Sequence, residues 1–102
     1  MEPLDALAEP RRRRVVELLA RHGRLSASQI CDEFDVTPQA ISQHLRVLRE
    51  ANVVRVEKDA QRRIYGLNPR AMEQVQGWAA QMAGSWIRRL DRLEKALEED
   101  SA

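Results

Sequence analysis

Four polar side chains recur along one segment of the chain at a spacing that suits recognition of DNA bases. Counted at about 100° per residue, Gln39, Gln43 and Arg46 fall on one arc of a helix, with Ser42 at its border. A Gln amide can pair in bidentate fashion with adenine, and an Arg guanidinium can do so with guanine, in the major groove. These residue types at this spacing favour a helix that contacts base edges, although each alone would also suit a solvated face.

The same segment contains what is needed to hold that helix in place. Ile41, Leu45 and Leu48 share the opposite arc and predict a buried face. Thr37 can cap the helix, and Pro38 suits its first position, where the missing N–H costs nothing. The sequence therefore predicts an amphipathic helix that begins at residue 38 and presents its polar arc outward.

Short elements on both sides complete a recognisable unit. Ser26 and Gln29 have the spacing of a capping box and predict a short helix before the turn, which makes a helix-turn-helix. Residues 52–57 and 63–67 are rich in Val, Ile and Tyr and predict two strands of a wing. The reversal at residues 58–62 lacks the Gly that two-residue hairpins favour, so we expect a longer loop. Lys58, Arg62 and Arg63 in this region are expected to neutralise phosphates.

Helices are predicted at both ends of the chain. A short helix within about residues 3–9 should stop before Pro10, which suits the first turn of a second helix capped by Gly23. A long helix is expected over about residues 69–99, where large apolar residues recur every three or four positions. The fold class is therefore mainly α with a β-wing, in the order α-α-α-α-β-β-α.

Size and composition limit the function classes. At 102 residues the chain predicts a single domain with a modest core, so pairing of two copies is plausible on stability grounds. Its one Cys cannot form an internal disulfide and agrees with a reducing compartment. The sequence shows neither a membrane-spanning apolar run nor a signal peptide, and we expect a cytoplasmic location. Residues 36–70 carry seven basic and three acidic side chains, whereas residues 71–102 carry four and six.

Taken together, these segments resemble the ArsR/SmtB-type winged helix-turn-helix repressors over nearly the whole chain. The order and spacing of the matching pieces are more specific than any one of them. The matching pieces are residues 4–14 with Leu18 and Leu19, residues 36–38 leading into residues 41–50, Val53 with Val54, Arg62 with Arg63, and Tyr65.

The resemblance implies a symmetric homodimer that represses transcription by covering a promoter with an inverted repeat. It implies that the fourth helix enters the major groove and that the first and last helices form the dimer interface. The interface residues would be Leu4, Leu7, Trp78, Trp86, Leu90, Leu93 and Leu97. An unknown small-molecule effector is possible, and the two Trp residues either pack or line its pocket.

The chain departs from the metal-sensing members of that family. The predicted third helix has only Cys31 where those members carry a Cys-x-Cys motif, and the last helix has neither His nor Cys. Zinc needs about four converging ligands, which Cys31, His22 and His44 do not supply. We therefore expect no metal and no cofactor. A metal- or thiol-responsive repressor, and a winged helix used for protein contacts, remain the alternatives.

Several conspicuous residues have ordinary interpretations. The run of arginines at residues 11–14 is expected to form ion pairs, such as Arg13 with Glu17, more than to contact DNA. His44 lies at the edge of the apolar arc and suits packing or a phosphate contact. Neither His has a Ser or Cys partner that would make a nucleophile–base pair, and no Gly-rich phosphate loop is present, so an enzyme is not expected.

Overall fold

The computed structural model describes residues 1–101, and that part of the chain contains five helices and three strands. The winged helix-turn-helix arrangement, mainly helical with a β-wing, is confirmed. The elements in chain order are α1 Pro3–Ala6, α2 Pro10–His22, β1 Arg24–Ser26, α3 Ala27–Cys31, α4 Pro38–Glu50, β2 Val54–Asp59, β3 Arg62–Leu67 and α5 Pro69–Ser101.

The helices begin where the sequence predicts because local caps satisfy their first N–H groups. Ser26 Oγ accepts the Gln29 N–H at 3.2 Å while Gln29 Oε1 accepts the Ser26 N–H at 2.8 Å, which confirms the capping box of α3. Thr37 Oγ1 accepts the Ala40 N–H at 3.2 Å at the start of α4. The first residue of α4 is thus set by residues adjacent in sequence.

The far end of α4 has a cap that the sequence analysis did not identify. Asn52 adopts φ of 61°, a left-handed conformation in which Asn is one of the better tolerated residues. The Val53 N–H donates to Leu48 O at 2.9 Å, and the Asn52 N–H donates to Arg49 O at 3.0 Å. This is the Schellman pattern, which ends the helix and turns the chain into the wing.

The first helix is shorter than predicted. It covers the four residues Pro3–Ala6 instead of residues 3–9, because Glu9 is already extended and serves as the N-cap of α2. The Glu9 side chain accepts the Arg12 N–H at 3.0 Å. At the other end of α2, Gly23 has φ of 85° and its N–H donates to Leu19 O, which confirms its predicted capping role.

The sheet contains a strand that was not predicted. β1 pairs antiparallel with β3, so that Leu25 lies opposite Tyr65, and the strand order is β1-β3-β2. The expected long loop in the wing is wrong. β2 and β3 are joined by two residues, and the first of them, Ala60, takes φ of 56° without being a Gly. Six cross-strand pairs, from Val54 with Leu67 to Asp59 with Arg62, hold this tight turn in place.

The chain divides into two compact units, each described here on its own. The N-terminal unit, Met1–Met72, has a continuous apolar core built from every element of that unit. The apolar arc of α4 is fully part of it, since Ile41 and Leu48 are 0% exposed and Leu45 is 2% exposed. The predicted inner face of α4 is thereby confirmed.

The C-terminal unit, from Glu73 onward, is helical throughout its described residues. It belongs to α5, which runs for 33 residues and ends two residues beyond the predicted 99. No described side chain of this unit is buried. The helix therefore presents both its polar and its large apolar residues to solvent.

Candidate nucleic-acid interface

The outward arc of α4 carries the four side chains that the sequence singled out for base contact. Gln39, Ser42, Gln43 and Arg46 are all exposed, whereas the residues of the opposite arc are buried. Amide, hydroxyl and guanidinium groups thus lie along one side of a capped, well-packed helix. Because the backbone of this helix is held in place by its buried face, such an arrangement can present donors and acceptors to base edges in defined positions.

Arg46 has a partner on its own helix. Its Nε donates to Glu50 Oε1 at 3.1 Å, one turn further along α4. Both side chains are more than half exposed, so this ion pair contributes little to stability. Its effect is to offset part of the positive charge at Arg46.

Strand alternation places the basic residues of the wing on two different faces. Arg62 and Arg63 are consecutive on β3, and consecutive strand residues point to opposite faces of a sheet. Lys58 is the cross-strand partner of Arg63 and shares its face, whereas Asp59 is the partner of Arg62. Arg62 Nη2 lies 3.4 Å from Asp59 Oδ2, so the charge of Arg62 is partly balanced.

A cleft of about 330 Å³ lies between α4 and β3. It brings together three of the predicted α4 residues and one predicted wing residue, and it adds an arginine that the sequence analysis missed. We call it the arginine cleft; it is lined by Ser42, Gln43, Arg46, Arg49 and Arg63, with Ala27, Leu45 and Tyr65 as its less polar walls.

The structure thus separates the predicted residues into two groups. Gln39, Lys58 and Arg62 are exposed but do not line the arginine cleft. Arg49 belongs to the cleft, and its position was available in the sequence, because residues 42, 46 and 49 recur at i, i+4 and i+7 on one side of a helix. Arg63 and not Arg62 lines the cleft because it shares a strand face with Tyr65, two residues later. The predicted start of β3 was one residue late.

His44 packs on the edge of the buried arc of α4, which is the first of the two roles predicted for it, packing or a phosphate contact. Its side chain is 16% exposed, and Nδ1 lies 3.7 Å from Glu9 Oε2. Within the described residues, this Nδ1 is buried and has no hydrogen-bond partner. Desolvation raises the pKa of Glu9, but the N–H groups of Arg12 and Arg11, the nearby His44 and the Arg12 guanidinium together outweigh it and lower that pKa overall.

The arginine run at the start of α2 has a structural role. Arg12 Nε donates to Ala6 O at 2.6 Å and Arg13 Nη1 to Leu7 O at 2.9 Å, so both cap carbonyls at the end of α1. Arg14 Nη2 donates to Glu33 O at 3.0 Å, and its guanidinium lies 4.8 Å from the centre of the Phe34 ring. The expected ion pair of Arg13 with Glu17 is wrong, because backbone carbonyls occupy the guanidinium instead.

The predicted dimer residues are mostly exposed in the single chain. Leu7 is the exception, since it is half-buried against the core of the N-terminal unit. The exposed fractions of the others are Leu4 39%, Trp78 50%, Trp86 58%, Leu90 39%, Leu93 54% and Leu97 66%.

Comparison with known proteins places this geometry in a family. Residues 7–57, half of the chain, match a model described as a helix-turn-helix domain. The transcriptional repressor SdpR of Bacillus subtilis is 30% identical over 73 residues, which cover 72% of this chain and 80% of SdpR. A solved ArsR family transcriptional regulator, RHA00566, aligns with a TM-score of 0.72 at 26% identity, covering 82% of this chain and 86% of that one. The chain belongs to the ArsR family of transcriptional regulators.

Two further similarities agree with membership of the ArsR family. The HTH-type transcriptional regulator Rv2034 of Mycobacterium tuberculosis is 42% identical over 65 residues, or 64% of this chain. Those residues span only 60% of the length of Rv2034. A solved structure named as a possible transcriptional regulator for arsenical resistance aligns with a TM-score of 0.74 at 41% identity, covering 91% of this chain and 93% of that one. These relatives are named as regulators of transcription, not as enzymes.

Residues 1–101 of this ArsR-family chain contain neither a cluster of metal ligands nor a membrane-spanning helix. No group of three or more His, Cys, Asp or Glu side chains there could hold a metal ion. None of the described helices combines the length and apolar character needed to cross a membrane.

Proposed function

We propose that this protein is a dimeric, sequence-specific repressor that binds an inverted repeat in duplex DNA and covers the promoter. The observation that carries the proposal is the arginine cleft, where the outward face of α4 meets a basic wing residue. Gln39, Ser42, Gln43 and Arg46 contact base edges or anchor beside them. Lys58, Arg62 and Arg63 neutralise backbone phosphates, and these contacts fix the position of α4 on the duplex. A protein that binds DNA must lie in the compartment that contains the DNA, which agrees with the expected cytoplasmic location.

The dimer is supported by the exposed apolar residues of the C-terminal unit. Residues 78, 82, 86, 90, 93 and 97 recur at intervals of three or four and share one side of α5. Two Trp residues, of which Trp86 is 58% exposed, are costly to leave in water, and a contiguous apolar stripe of this kind marks an interaction site. A second copy of the same helix buries both stripes at once. Leu4 and Leu7 stay predicted contributors to the interface.

Two-fold symmetry then determines the form of the operator. A symmetric dimer presents two copies of α4, which enter successive major grooves about one helical turn, or roughly 34–36 Å, apart. The DNA half-sites must be related by the same two-fold axis, which makes the operator an inverted repeat. Occupation of that site by the dimer excludes polymerase and represses the promoter.

The base-reading role is tested with Gln43→Ala. Loss of a bidentate amide contact should cost about 1–3 kcal/mol at the base pair it contacts and relax the preference there. Binding is measured by fluorescence anisotropy on duplexes that differ from the best site by single base pairs. Gln74→Ala, which removes an exposed amide from α5, is the matched control and should retain the full preference. A Gln43→Ala protein with unchanged preference at every base pair would contradict the assignment of this face.

A further inference from the structure

We infer that the arginine cleft binds one specific backbone phosphate in each DNA half-site, and that Arg49 is a DNA-binding residue. The inference rests on the proposed function, and it adds a residue and a ligand group to it. Three arginines, a serine and a glutamine line the cleft, and the side chains of all five carry groups that can donate hydrogen bonds to phosphate oxygens.

The arginines of the cleft come from two different elements. Arg46 and Arg49 come from the second half of α4, and Arg63 comes from β3. Leu45 and Tyr65, which are 2% and 5% exposed, form part of the wall beneath them. Guanidinium groups placed against a poorly hydrated wall interact with an anion more strongly than they would in open water.

The charges in the cleft are incompletely balanced. Arg46 is paired with Glu50, but within the described residues neither Arg49 nor Arg63 forms an ion pair with a carboxylate. Two like charges that share one cleft repel each other, and an anion between them removes that repulsion. Arg presents a planar fork that matches phosphate geometry in a bidentate manner, and so a phosphate fits better than a single halide ion.

A simpler role for Arg49 does not account for the cleft. Arg49 lies in the last turn of α4, where a positive side chain favours the helix dipole. That effect needs only proximity to the helix end. It gives no reason for Arg63, on a different element, to line the same cleft with its charge unbalanced. A shared anionic ligand explains both residues together.

The position of the phosphate has a consequence for base recognition. Ser42 and Gln43 line the cleft together with the arginines, and Gln43 is also a proposed base-reading residue. A phosphate held by Arg49 and Arg63 therefore sets how deeply this part of α4 sits in the groove. Arg49 acts on affinity for all sequences, whereas Gln43 acts on the choice among them.

The test replaces single phosphates of the bound duplex by neutral methylphosphonates, one position at a time. For the unaltered protein, a methylphosphonate at one position in each half-site should lower the affinity about tenfold or more, because the charge-assisted hydrogen bonds to Arg49 and Arg63 are lost. Arg49→Gln should bind the natural duplex about tenfold more weakly and should be insensitive to methylphosphonate at that same position. Arg63→Gln should lose its sensitivity at the same position.

Arg21→Gln is the control, because Arg21 is exposed near the end of α2 and does not line the cleft. It should show the same methylphosphonate profile as the unaltered protein. The inference would be wrong, while the proposed function stood, if Arg49→Gln bound the natural duplex with normal affinity. It would also be wrong if Arg49→Gln stayed as sensitive as the unaltered protein to every methylphosphonate substitution. If the unaltered protein bound no duplex, the proposed function itself would fail. Thermal unfolding of each variant checks that a loss of binding is not a loss of fold.

Discussion

The two units of this chain use their large apolar residues in opposite ways. In the N-terminal unit, Ile41, Leu48 and Val53 are completely buried. In the C-terminal unit, Trp86 and Leu97 are more than half exposed, and no described side chain is buried. The N-terminal unit therefore contains the contacts that stabilise it, whereas the apolar stripe of the C-terminal unit gains its stabilisation only when something covers it.

Net charge also differs between residues 36–70 and residues 71–102. Residues 36–70 carry a net charge of +4 and include the arginine cleft, whereas residues 71–102 carry −2. A basic patch attracts phosphates, and an acidic helix is a poor DNA-binding surface. The contrast agrees with the proposed function, in which the N-terminal unit contacts DNA and the C-terminal unit self-associates. The predictions below test each half of this division.

The largest effect is expected when the apolar stripe is made charged. Leu93→Glu combined with Leu97→Glu should give a monomer by analytical ultracentrifugation, because buried carboxylates oppose association. Loss of the second half-site contact should weaken operator binding by about 10²- to 10⁴-fold. The N-terminal unit should keep its fold. Lys95→Glu reverses the charge at an exposed polar position of the same helix, which changes the net charge by as much as the double variant does, and it should stay dimeric. A double variant that sediments as a dimer would refute the assignment of this stripe.

A smaller effect is expected from a cavity beneath the reading face. Ile41→Ala removes a fully buried side chain from the inner arc of α4 and should lower the free energy of unfolding by about 2–5 kcal/mol. Urea unfolding at a fixed protein concentration measures it. Gln39→Ala on the outer arc of the same helix should change stability by less than about 0.5 kcal/mol. Equal effects from the two substitutions would mean that the arcs of α4 are wrongly assigned.

The cap of α4 should contribute less than its core contacts. Thr37→Ala removes the oxygen that accepts the Ala40 N–H and should cost about 1 kcal/mol in unfolding free energy. Thr37→Ser keeps an acceptor at this position and serves as the control. Thermal and urea unfolding of the three proteins compare them directly. If the Ala and Ser variants were equally stable, the cap would not contribute to holding α4.

The smallest effect distinguishes the two faces of the wing. Arg63→Ala should reduce the salt dependence of DNA binding by about one released counterion, a slope change of roughly 0.9. Arg62→Ala should weaken all sequences alike but change the slope less, because Asp59 already balances part of that charge. Affinity measured across a series of salt concentrations gives both slopes. A larger slope change for Arg62→Ala would reverse the proposed roles of the two residues.

Local features of this fold were predictable from sequence, and features that depend on distant pairing were not. The caps at Ser26 and Thr37 and the two arcs of α4 follow from neighbouring residues, and the structure confirms them. β1 has three residues and exists only because it pairs with β3, some forty residues later in the chain. The tight wing turn was missed because Ala60 takes a left-handed φ that its residue type disfavours.

The candidate site was likewise predictable only where it depends on residues close together in sequence. The polar arc of α4 needed only helical spacing. Arg49 was missed because its significance depends on Arg63, which reaches the same cleft from another element. Arg62 and Arg63 were not separated, although strand alternation places Arg63 on the same face as the buried Tyr65, two residues later, and Arg62 on the opposite face.

The most direct test of the account is selection of the purified protein on a pool of random duplexes, followed by sequencing of the retained DNA. The account predicts enrichment of an inverted repeat whose half-sites lie about one helical turn apart, because a two-fold dimer presents two copies of α4. Retention without enrichment would contradict sequence-specific reading by Gln39, Ser42, Gln43 and Arg46 and leave only charge-driven binding. Absence of retention at low salt would contradict DNA binding and favour a winged helix that contacts other proteins.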